Sequence, residues 1–307
     1  MKAQKQNIFS LAVLFLKGLC IGAVELVPGV SGGTIAFVSG VYEELLTSIK
    51  SLNLTACKLF FCGRWKALWQ AINGTFLLFL VGGMAISVFS LSEYIPKLIH
   101  AYPIAIWSFF MGLILASAVY ILKDVQWGKQ VLRNSLLILV GIAAGFTICR
   151  LTPMETPTAY WFIFLSGAIA ICALLLPGVS GSFMLLLLGK YAFILDAVAN
   201  MKIWILLAFA SGAIVGMLSF SNLLSWLLRK HYTVTVCLLA GCMLGALEKI
   251  WPWKETLSTG LQRNIMPLQY EQLTGLPSQW GVALLGMGLG ISIMAVVTLV
   301  ELRMRKK

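Results

Sequence analysis

The sequence predicts an all-α polytopic membrane protein made of two inverted-topology repeats, each a re-entrant broken-helix hairpin followed by three transmembrane helices. Composition, a repeated motif and the distribution of positive charge lead to this prediction. Of the 307 residues, 60% are hydrophobic and only 11% are charged, which is far more apolar than the core of a soluble domain requires. The apolar residues also fall in blocks as long as the roughly 20 residues that a helix needs to cross a bilayer. Composition alone therefore predicts membrane insertion.

The repeat is visible when the sequence is shifted by 149 residues. Leu-Val-Pro-Gly-Val-Ser-Gly at 26–32 then aligns with Leu-Leu-Pro-Gly-Val-Ser-Gly at 175–181. Ten residues further on, Gly40-Val-Tyr42 aligns with Gly189-Lys-Tyr191. Five consecutive identities within a longer colinear match indicate an internal duplication. We therefore predict a first membrane repeat over 1–152 and a second over 153–307.

Each repeat is predicted to open on a hairpin of two apolar arms and to continue with three spanning helices. The predicted hairpins cover 8–49 (arms 8–27 and 34–49) and 158–200 (arms 158–176 and 183–200), and the predicted spanning helices cover 74–92, 104–122, 134–151, 203–228, 232–250 and 280–300. The aromatic and basic segment 58–72 is predicted to lie along the inner membrane interface. The longest stretch outside the membrane, 251–279, is either a short lid or a loop.

The positive charges predict how the repeats are oriented. If each hairpin enters and leaves on one side, each half crosses the membrane three times and the halves are inverted. Fifteen Lys and Arg residues then lie inside and six outside, in agreement with the positive-inside rule. The alternative, in which each hairpin is one interrupted crossing helix, would place Lys50, Lys58, Arg64 and Lys66 outside. Loop positions also explain the net charge of +12 without nucleic acid as a partner.

The repeated motif predicts a broken helix at membrane depth in each hairpin. Pro28 and Pro177 have no backbone N–H, and Gly29 and Gly178 permit non-helical dihedral angles. Unpaired backbone groups at that depth need a partner from protein, water or ligand, and a helix restarting near Thr34 would offer its N–H groups to an anion. The residues predicted to bind phosphate at the breaks are Ser31, Gly32, Gly33, Thr34, Ser180, Gly181 and Ser182. In the alternative interpretation, these glycines only allow close helix packing.

Three charged residues are further candidates. Glu25 lies inside the first arm, where an ionisable residue is a functional candidate by default; the alternative is an interfacial Glu paired with Lys17. Lys190 lies in the second hairpin, where it would either meet a phosphate or extend its ammonium to the outer surface. Arg150 at the outer membrane edge is a candidate phosphate ligand that topology alone also explains.

Other chemistries find less support in the sequence. Gly29-Val-Ser-Gly-Gly33 fits Gly-x-Ser-x-Gly, but a serine hydrolase needs a base beside the Ser, and the two histidines, His100 and His231, lie at helix ends on opposite faces. The seven cysteines include no Cys-x-x-Cys pair and are interpreted as apolar fillers. We predict no catalytic residue, no metal site and no organic cofactor.

The duplicated hairpins, with Glu-Leu-Val-Pro-Gly-Val-Ser-Gly-Gly-Thr at 25–34, resemble the polyprenyl-phosphate translocase (PopT) family, formerly domain-of-unknown-function family number 368. The resemblance covers nearly the whole chain. It implies return of undecaprenyl phosphate from the outer to the inner leaflet of the bacterial cytoplasmic membrane. It also implies a headgroup site at Glu25–Thr34 and Pro177–Ser182. The charge distribution predicts that both termini are cytoplasmic.

An anion moving inward runs against a negative-inside potential. The hypothesis that follows is coupling to H⁺ or Na⁺ with Glu25 as the ion-binding carboxylate. The alternative function is an ion-coupled carrier of a small soluble anion, and the oligomeric state stays open.

Overall fold

The computed structural model describes residues 8–27, 29–256 and 262–305, with side chains described up to residue 300. Pro28, predicted to break the first helix, lies outside the described residues, as do the inside cations Lys2, Lys5, Lys306 and Lys307. The protein is an α-helical polytopic membrane protein. Its helices in chain order are α1 (Ile8–Glu25), α2 (Gly32–Val38), α3 (Tyr42–Lys50), α4 (Leu54–Phe61), α5 (Trp65–Ala71), α6 (Gly74–Leu91), α7 (Tyr94–Ala101), α8 (Pro103–Leu122), α9 (Val131–Arg150), α10 (Tyr160–Leu175), α11 (Gly181–Leu187), α12 (Tyr191–Ala199), α13 (Ile203–Lys230), α14 (Tyr232–Gly245), α15 (Pro267–Thr274) and α16 (Trp280–Arg305).

Seven stretches of the described residues are long and apolar enough to cross a membrane. Six of them lie where spanning helices are predicted: α6, α8, α9, α13, α14 with the 3₁₀ turn Ala246–Ile250 that extends it, and α16. The seventh is α1, the predicted first arm of the first hairpin. The helices α1 and α10 thus occupy the predicted first arms of the two hairpins, 8–27 and 158–176.

In the structure, each of the predicted second arms, 34–49 and 183–200, is divided into two helices. The first is divided into α2 and α3 at Gly40, whose φ is 74°, and the second into α11 and α12 at Gly189, whose φ is 61°. Between α11 and α12 the chain bends by 106°. Glycines at equivalent positions of the repeat therefore mark the same bend, so each hairpin consists of three helices.

The chain divides into two compact units, and each takes segments from both predicted repeats. The first, here called the hairpin unit, comprises the described parts of Met1–Ser92 with Leu151–Thr235. It contains both hairpins and the helix that follows each of them, α6 and α13. The second, here called the paired-helix unit, comprises Glu93–Arg150 with the described parts of Val236–Lys307, and it contains α8, α9, α16 and most of α14.

In the hairpin unit, the first arm of each hairpin (α1 or α10) packs parallel to the helix that follows that hairpin (α6 or α13). Gly18 of α1 lies against Leu80 of α6, and four residues on, Gly22 lies against Met84. In the second hairpin, α13 packs on α10 in the same way, with Gly212 against Phe164 and Gly216 against Ala168. Since the two helices of each pair run in one direction, the chain doubles back between them.

In the paired-helix unit, the helices also pack in two parallel pairs. Helices α8 and α16 approach where Ala105 meets Gly286 and Phe109 meets Gly290. Helices α9 and α14 approach where the carbonyls of Ile138 and Ile142 meet Gly241 and Gly245. Small residues permit this close approach of helix backbones in a membrane protein. Each pair joins a helix of the first predicted repeat to a helix of the second.

A neighbouring pair of glycines in α6 tests this packing. A Cβ at Gly83 would lie 2.4 Å from the Phe15 carbonyl oxygen of α1, whereas a Cβ at Gly82 would meet nothing within 4 Å. We expect Gly83→Ala to destabilise the protein by about 1–3 kcal/mol through overpacking. Gly82→Ala should instead stabilise it by up to about 1 kcal/mol, because Ala is the better helix former. Thermal unfolding in detergent measures both, and equal shifts would contradict the packing of α1 on α6.

The described part of segment 251–279, which was predicted to be a lid or a loop, is folded. It forms a two-stranded antiparallel sheet of β1 (Lys254–Thr256) and β2 (Gln262–Asn264), followed by α15. Trp253 anchors it: the ring is buried against Ile104 and Ala283, and its Nε1–H donates to the Ser278 carbonyl at 2.8 Å. The segment is therefore packed against the ends of α8 and α16.

Candidate functional site

The first break lies between α1 and α2. Gly29 has a φ of 88°, in the left-handed region that glycine adopts without strain. Ser31 follows in extended conformation as the N-cap of α2, its Oγ accepting a hydrogen bond from the Gly33 N–H at 3.2 Å. Ser31 and Thr34 are 1% and 0% exposed, so the hydroxyls of this break lie inside the protein. The return helix begins at Gly32, two residues before the predicted restart near Thr34.

The second break repeats this backbone geometry. Gly178 also has a φ of 88°, and Ser180 is extended like Ser31. The side chains bond differently, because Ser180 does not cap its helix and its Oγ lies 2.9 Å from the Oγ of Ser182. Ser182 is exposed. The second break thus exposes one hydroxyl, that of Ser182, which lies against the buried Ser180, whereas Ser31 of the first break is bonded internally.

The two breaks bond directly to each other. Ser31 Oγ–H donates to the Leu176 carbonyl at 3.1 Å, and the Gly178 N–H donates to Thr34 Oγ1 at 3.1 Å. The hydroxyl of Tyr42 on α3 donates to the Leu175 carbonyl. The last carbonyls of a helix have no partner within that helix, so the first hairpin supplies partners to the end of α10. The structure therefore brings the two Pro-Gly-Val-Ser-Gly motifs together inside the hairpin unit.

Two glycines of the first motif are needed for this close approach. A Cβ at Gly33 would lie 3.1 Å from the Leu174 carbonyl oxygen of the second hairpin. A Cβ at Gly32 would lie 2.6 Å from Glu25 Oε1. In the second motif, a Cβ at Gly181 would lie 2.7 Å from the Ala170 carbonyl. These glycines therefore lie at the breaks and also allow close packing against neighbouring groups.

Glu25 lies at the first break, at the last residue of α1. Its Oε1 accepts a hydrogen bond from the Gly32 N–H at 2.7 Å. The carboxylate therefore sits where an anion would bind the return helix. Lys17, the alternative partner considered for Glu25, donates to the Ser39 carbonyl. Leu174 occupies the equivalent position in the second hairpin, so this carboxylate makes the two breaks chemically unequal.

The structure places Lys190 at the bend of the second hairpin rather than at the break. It is 2% exposed, and its Nζ donates to the Thr156 carbonyl at 2.7 Å. The rings of Phe162 and Phe193 lie 5.6 and 5.5 Å from Nζ, within the range of a cation–π contact. The ammonium is therefore held inside the hairpin and does not extend to the surface.

The structure assigns Arg150 and the breaks to different units. Arg150 ends α9 in the paired-helix unit, where its guanidinium pairs with Glu248 at 3.2 Å and lies over the Phe146 ring. The remaining predicted site residues, Glu25, Ser31–Thr34 and Ser180–Ser182, lie together in the hairpin unit with Gly29, Pro177 and Gly178.

Sequence reasoning missed Tyr42, which ties α3 to the end of α10. The signal was present, since the shift of 149 residues aligns Tyr42 with Tyr191, but its chemical role was not apparent. The hydrogen-bonding partners of Ser31 are backbone groups of Gly33 and Leu176, which gives that hydroxyl no base. Within the part of the chain that the structure describes, no group of three or more His, Cys, Asp or Glu side chains is placed to hold a metal ion.

Comparison with known proteins decides the family. Residues 21–266 match the model of the VCA0040-like family, described as undecaprenyl phosphate translocase-like. The chain belongs to this family. A protein of Vibrio cholerae named polyprenyl-phosphate transporter is 47% identical over 280 residues, which cover 88% of this chain and 90% of that protein. A Staphylococcus aureus protein of the same name is 32% identical over 267 residues, covering 82% and 87%. No solved structure matches.

Proposed function

We propose that this protein transports undecaprenyl phosphate, returning the carrier from the outer to the inner leaflet of the bacterial cytoplasmic membrane. The observation that carries the proposal is the meeting of two broken helices whose backbone groups and hydroxyls are hydrogen-bonded across the break. A phosphate headgroup cannot cross hydrocarbon without such polar groups, because unsatisfied polar groups in lipid cost several kcal/mol each. The names of the two relatives support a polyprenyl phosphate as the substrate.

The proposed topology is a pair of inverted repeats with both termini in the cytoplasm. The parallel packing of α8 with α16 and of α9 with α14 supports it. Helices α8 and α9 are joined by only Lys123–Gln130, too few residues to recross a membrane of about 30 Å at 3.3–3.6 Å per residue. They therefore run antiparallel, and α14, the equivalent of α8 in the second repeat, runs with α9 and against α8.

The proposed headgroup site is the second break together with the first. The exposed Ser182 is the first contact in this proposal and Ser180 is the second, since among the described residues these two hydroxyls bond only to each other. The first break, with Ser31, Gly32, Gly33 and Thr34, accepts the phosphate when its present hydrogen bonds are exchanged for phosphate oxygens. The return helices α2 and α11 have only seven residues each, so hydroxyl and N–H groups supply the binding and helix dipoles add little.

Glu25 supplies the proposed coupling to H⁺ or Na⁺. Moving one negative charge inward against a potential of about 100 mV costs about 2.3 kcal/mol, which is about 40-fold in an equilibrium. The Gly32 N–H that Glu25 now accepts from is the group that a phosphate would bind. Protonation of Glu25, or its pairing with Na⁺, neutralises the carboxylate and releases this N–H to the phosphate. The entering cation then offsets the charge of the headgroup.

The function is tested by the surface level of undecaprenyl phosphate in cells that lack other recycling proteins. Depletion of this protein should raise outer-leaflet carrier, detected with a headgroup-specific probe, and the wild-type chain should restore it. An unchanged surface level would contradict lipid recycling. Uptake of a small soluble anion by the same cells would then support the alternative, an ion-coupled carrier with the same hairpins.

A further inference from the structure

A cluster of cations lies in the paired-helix unit. Arg150 ends α9, while Glu248 and Lys249 belong to the 3₁₀ turn Ala246–Ile250. Lys254 begins β1 and reaches back to this turn, donating from Nζ to the Lys249 carbonyl at 2.7 Å. Arg150 pairs with Glu248, and the charges of Lys249 and Glu248 act on Lys254. We call these residues the Arg150–Lys254 cluster.

The cluster retains hydrogen-bond donors for an anion. Arg150 directs Nε and Nη2 to the same oxygen of Glu248, at 3.2 Å each, and its side chain is 63% exposed. Lys254 is half-buried, and among the described residues its ammonium has one hydrogen-bond acceptor, the Lys249 carbonyl. Capping of helix C-termini by cations explains one such charge. It does not explain why both Arg150 and Lys254 interact electrostatically with Glu248.

The electrostatics of Lys254 favour an added anion. Burial, and next the positive charge of Lys249, lower the pKa of Lys254 to about 8, while Glu248 acts in the opposite direction. An ammonium in this position is incompletely compensated by the protein. A phosphate against it would raise its pKa again. The other titratable groups that face Lys254 are Glu248, Lys249 and Cys149.

The surroundings of the cluster match a membrane interface. Lys254 Nζ lies 4.6 Å from the centroid of the Trp107 ring. The Trp253 ring lies between those of Trp251 and Trp280, in edge-on and tilted contacts with ring centroids 5.6 and 5.2 Å apart. Tryptophans gather at the level of lipid headgroups, and α8 and α16 begin at this end of the unit while α9 ends there. An anion bound here would therefore be at headgroup depth, with lipid beside it.

We propose that the Arg150–Lys254 cluster binds the phosphate headgroup of a lipid, as a docking site separate from the helix breaks. Arg150 contributes its guanidinium N–H groups and Lys254 its ammonium, while the lipid tail lies along the neighbouring apolar helices. A lipid phosphate monoester and free phosphate offer the cluster the same phosphate oxygens, and of the two the lipid is the proposed ligand.

The test is equilibrium binding of radiolabelled dodecyl phosphate to the purified full-length protein in maltoside detergent. We expect Lys254→Gln with Arg150→Gln to weaken binding by about tenfold or more, equivalent to about 1.4 kcal/mol. Lys254→Gln alone should weaken binding, whereas Lys254→Arg, which keeps the positive charge, should bind like the wild type. This contrast excludes a merely structural loss. Arg263→Gln, which changes an exposed cation on β2, should leave binding unchanged. Unaltered binding in the double variant would overturn the proposal.

Two further arms separate the sources and the sites. Inorganic phosphate should bind at least about tenfold more weakly than dodecyl phosphate, and equal affinity would overturn the lipid assignment. Binding should weaken as the pH rises from 7 to 9, because Lys254 loses its charge there. In a Ser180→Ala, Ser182→Ala background, the cluster should still bind dodecyl phosphate. Loss of all dodecyl phosphate binding in that background would overturn the proposed site at the cluster. Binding that is retained there and is then removed by Lys254→Gln would support the site, even if the helix breaks bind no phosphate.

Discussion

Glu25→Gln is expected to lower inward transport of undecaprenyl phosphate by about tenfold or more, which corresponds to about 1.4 kcal/mol or more. The Gln carboxamide oxygen can still accept the Gly32 N–H, which Glu25 now binds at 2.7 Å, so the shape of the break is retained. The substitution removes the negative charge and with it the site for H⁺ or Na⁺. Transport into liposomes with an imposed membrane potential measures both the transport rate and its dependence on that potential, and both should fall.

Glu44→Gln is the matched control for this prediction. Glu44 belongs to the same hairpin, is exposed, and accepts a hydrogen bond from Asn73 at 2.8 Å. Its neutralisation should leave transport within twofold of the wild type, an effect below about 0.5 kcal/mol. Full transport by Glu25→Gln with unchanged sensitivity to potential would refute the coupling role. A partial recovery with Glu25→Asp, which keeps the carboxylate on a shorter side chain, would support it.

The double substitution Ser180→Ala, Ser182→Ala should also reduce transport by about tenfold or more while leaving thermal stability nearly unchanged. These hydroxyls bond to each other at 2.9 Å, and removing both partners of a hydrogen bond leaves no buried group unsatisfied. Their proposed role is to receive the phosphate, so the loss should fall on transport. Transport in liposomes and unfolding in detergent are measured on the same preparation.

Thr34→Val provides the contrast. It leaves the Gly178 N–H, which now donates to Thr34 Oγ1 at 3.1 Å, without a partner in the interior. An unsatisfied buried donor costs about 1–3 kcal/mol, so this variant should lose thermal stability. Thr47→Val removes only a local bond of an exposed hydroxyl to the Glu43 carbonyl and should be neutral. If the double serine variant destabilised the protein as much as Thr34→Val, its hydroxyls would be structural and the headgroup assignment would be wrong.

The sequence predicted the helical membrane fold and the position of most helices, because blocks of apolar residues have few other solutions. The shift that aligns Pro28-Gly29 with Pro177-Gly178 also located both breaks. It did not predict that Thr34 and Tyr42 bond across to the second hairpin, since a linear pattern contains no tertiary distance. The bends at Gly40 and Gly189 were likewise missed, because short apolar helices joined by one glycine resemble a single helix.

The charged candidates show the same limit. Glu25 could be placed at the break from its position beside the motif. Lys190 and Arg150 stay predicted phosphate ligands on charge and depth alone, and the sequence did not reveal that they contact the Thr156 carbonyl and Glu248. Both partners are distant along the chain, so periodicity and spacing could not identify them. The described part of 251–279 packs around Trp253, whose partners Ile104 and Ala283 are also distant along the chain. The sequence therefore could not decide between a lid and a loop.

The most direct test of the central claim uses liposomes that contain the purified protein and undecaprenyl phosphate in both leaflets, with a membrane-impermeant phosphatase added outside. Without transport, the phosphatase removes the headgroup phosphate from the outer-leaflet pool only. The account predicts that the wild-type protein exposes the inner pool as well, and that Glu25→Gln and the double serine variant do not. Hydrolysis that stops at the outer-leaflet pool with folded wild-type protein, under imposed H⁺ and Na⁺ gradients of either direction, would contradict it.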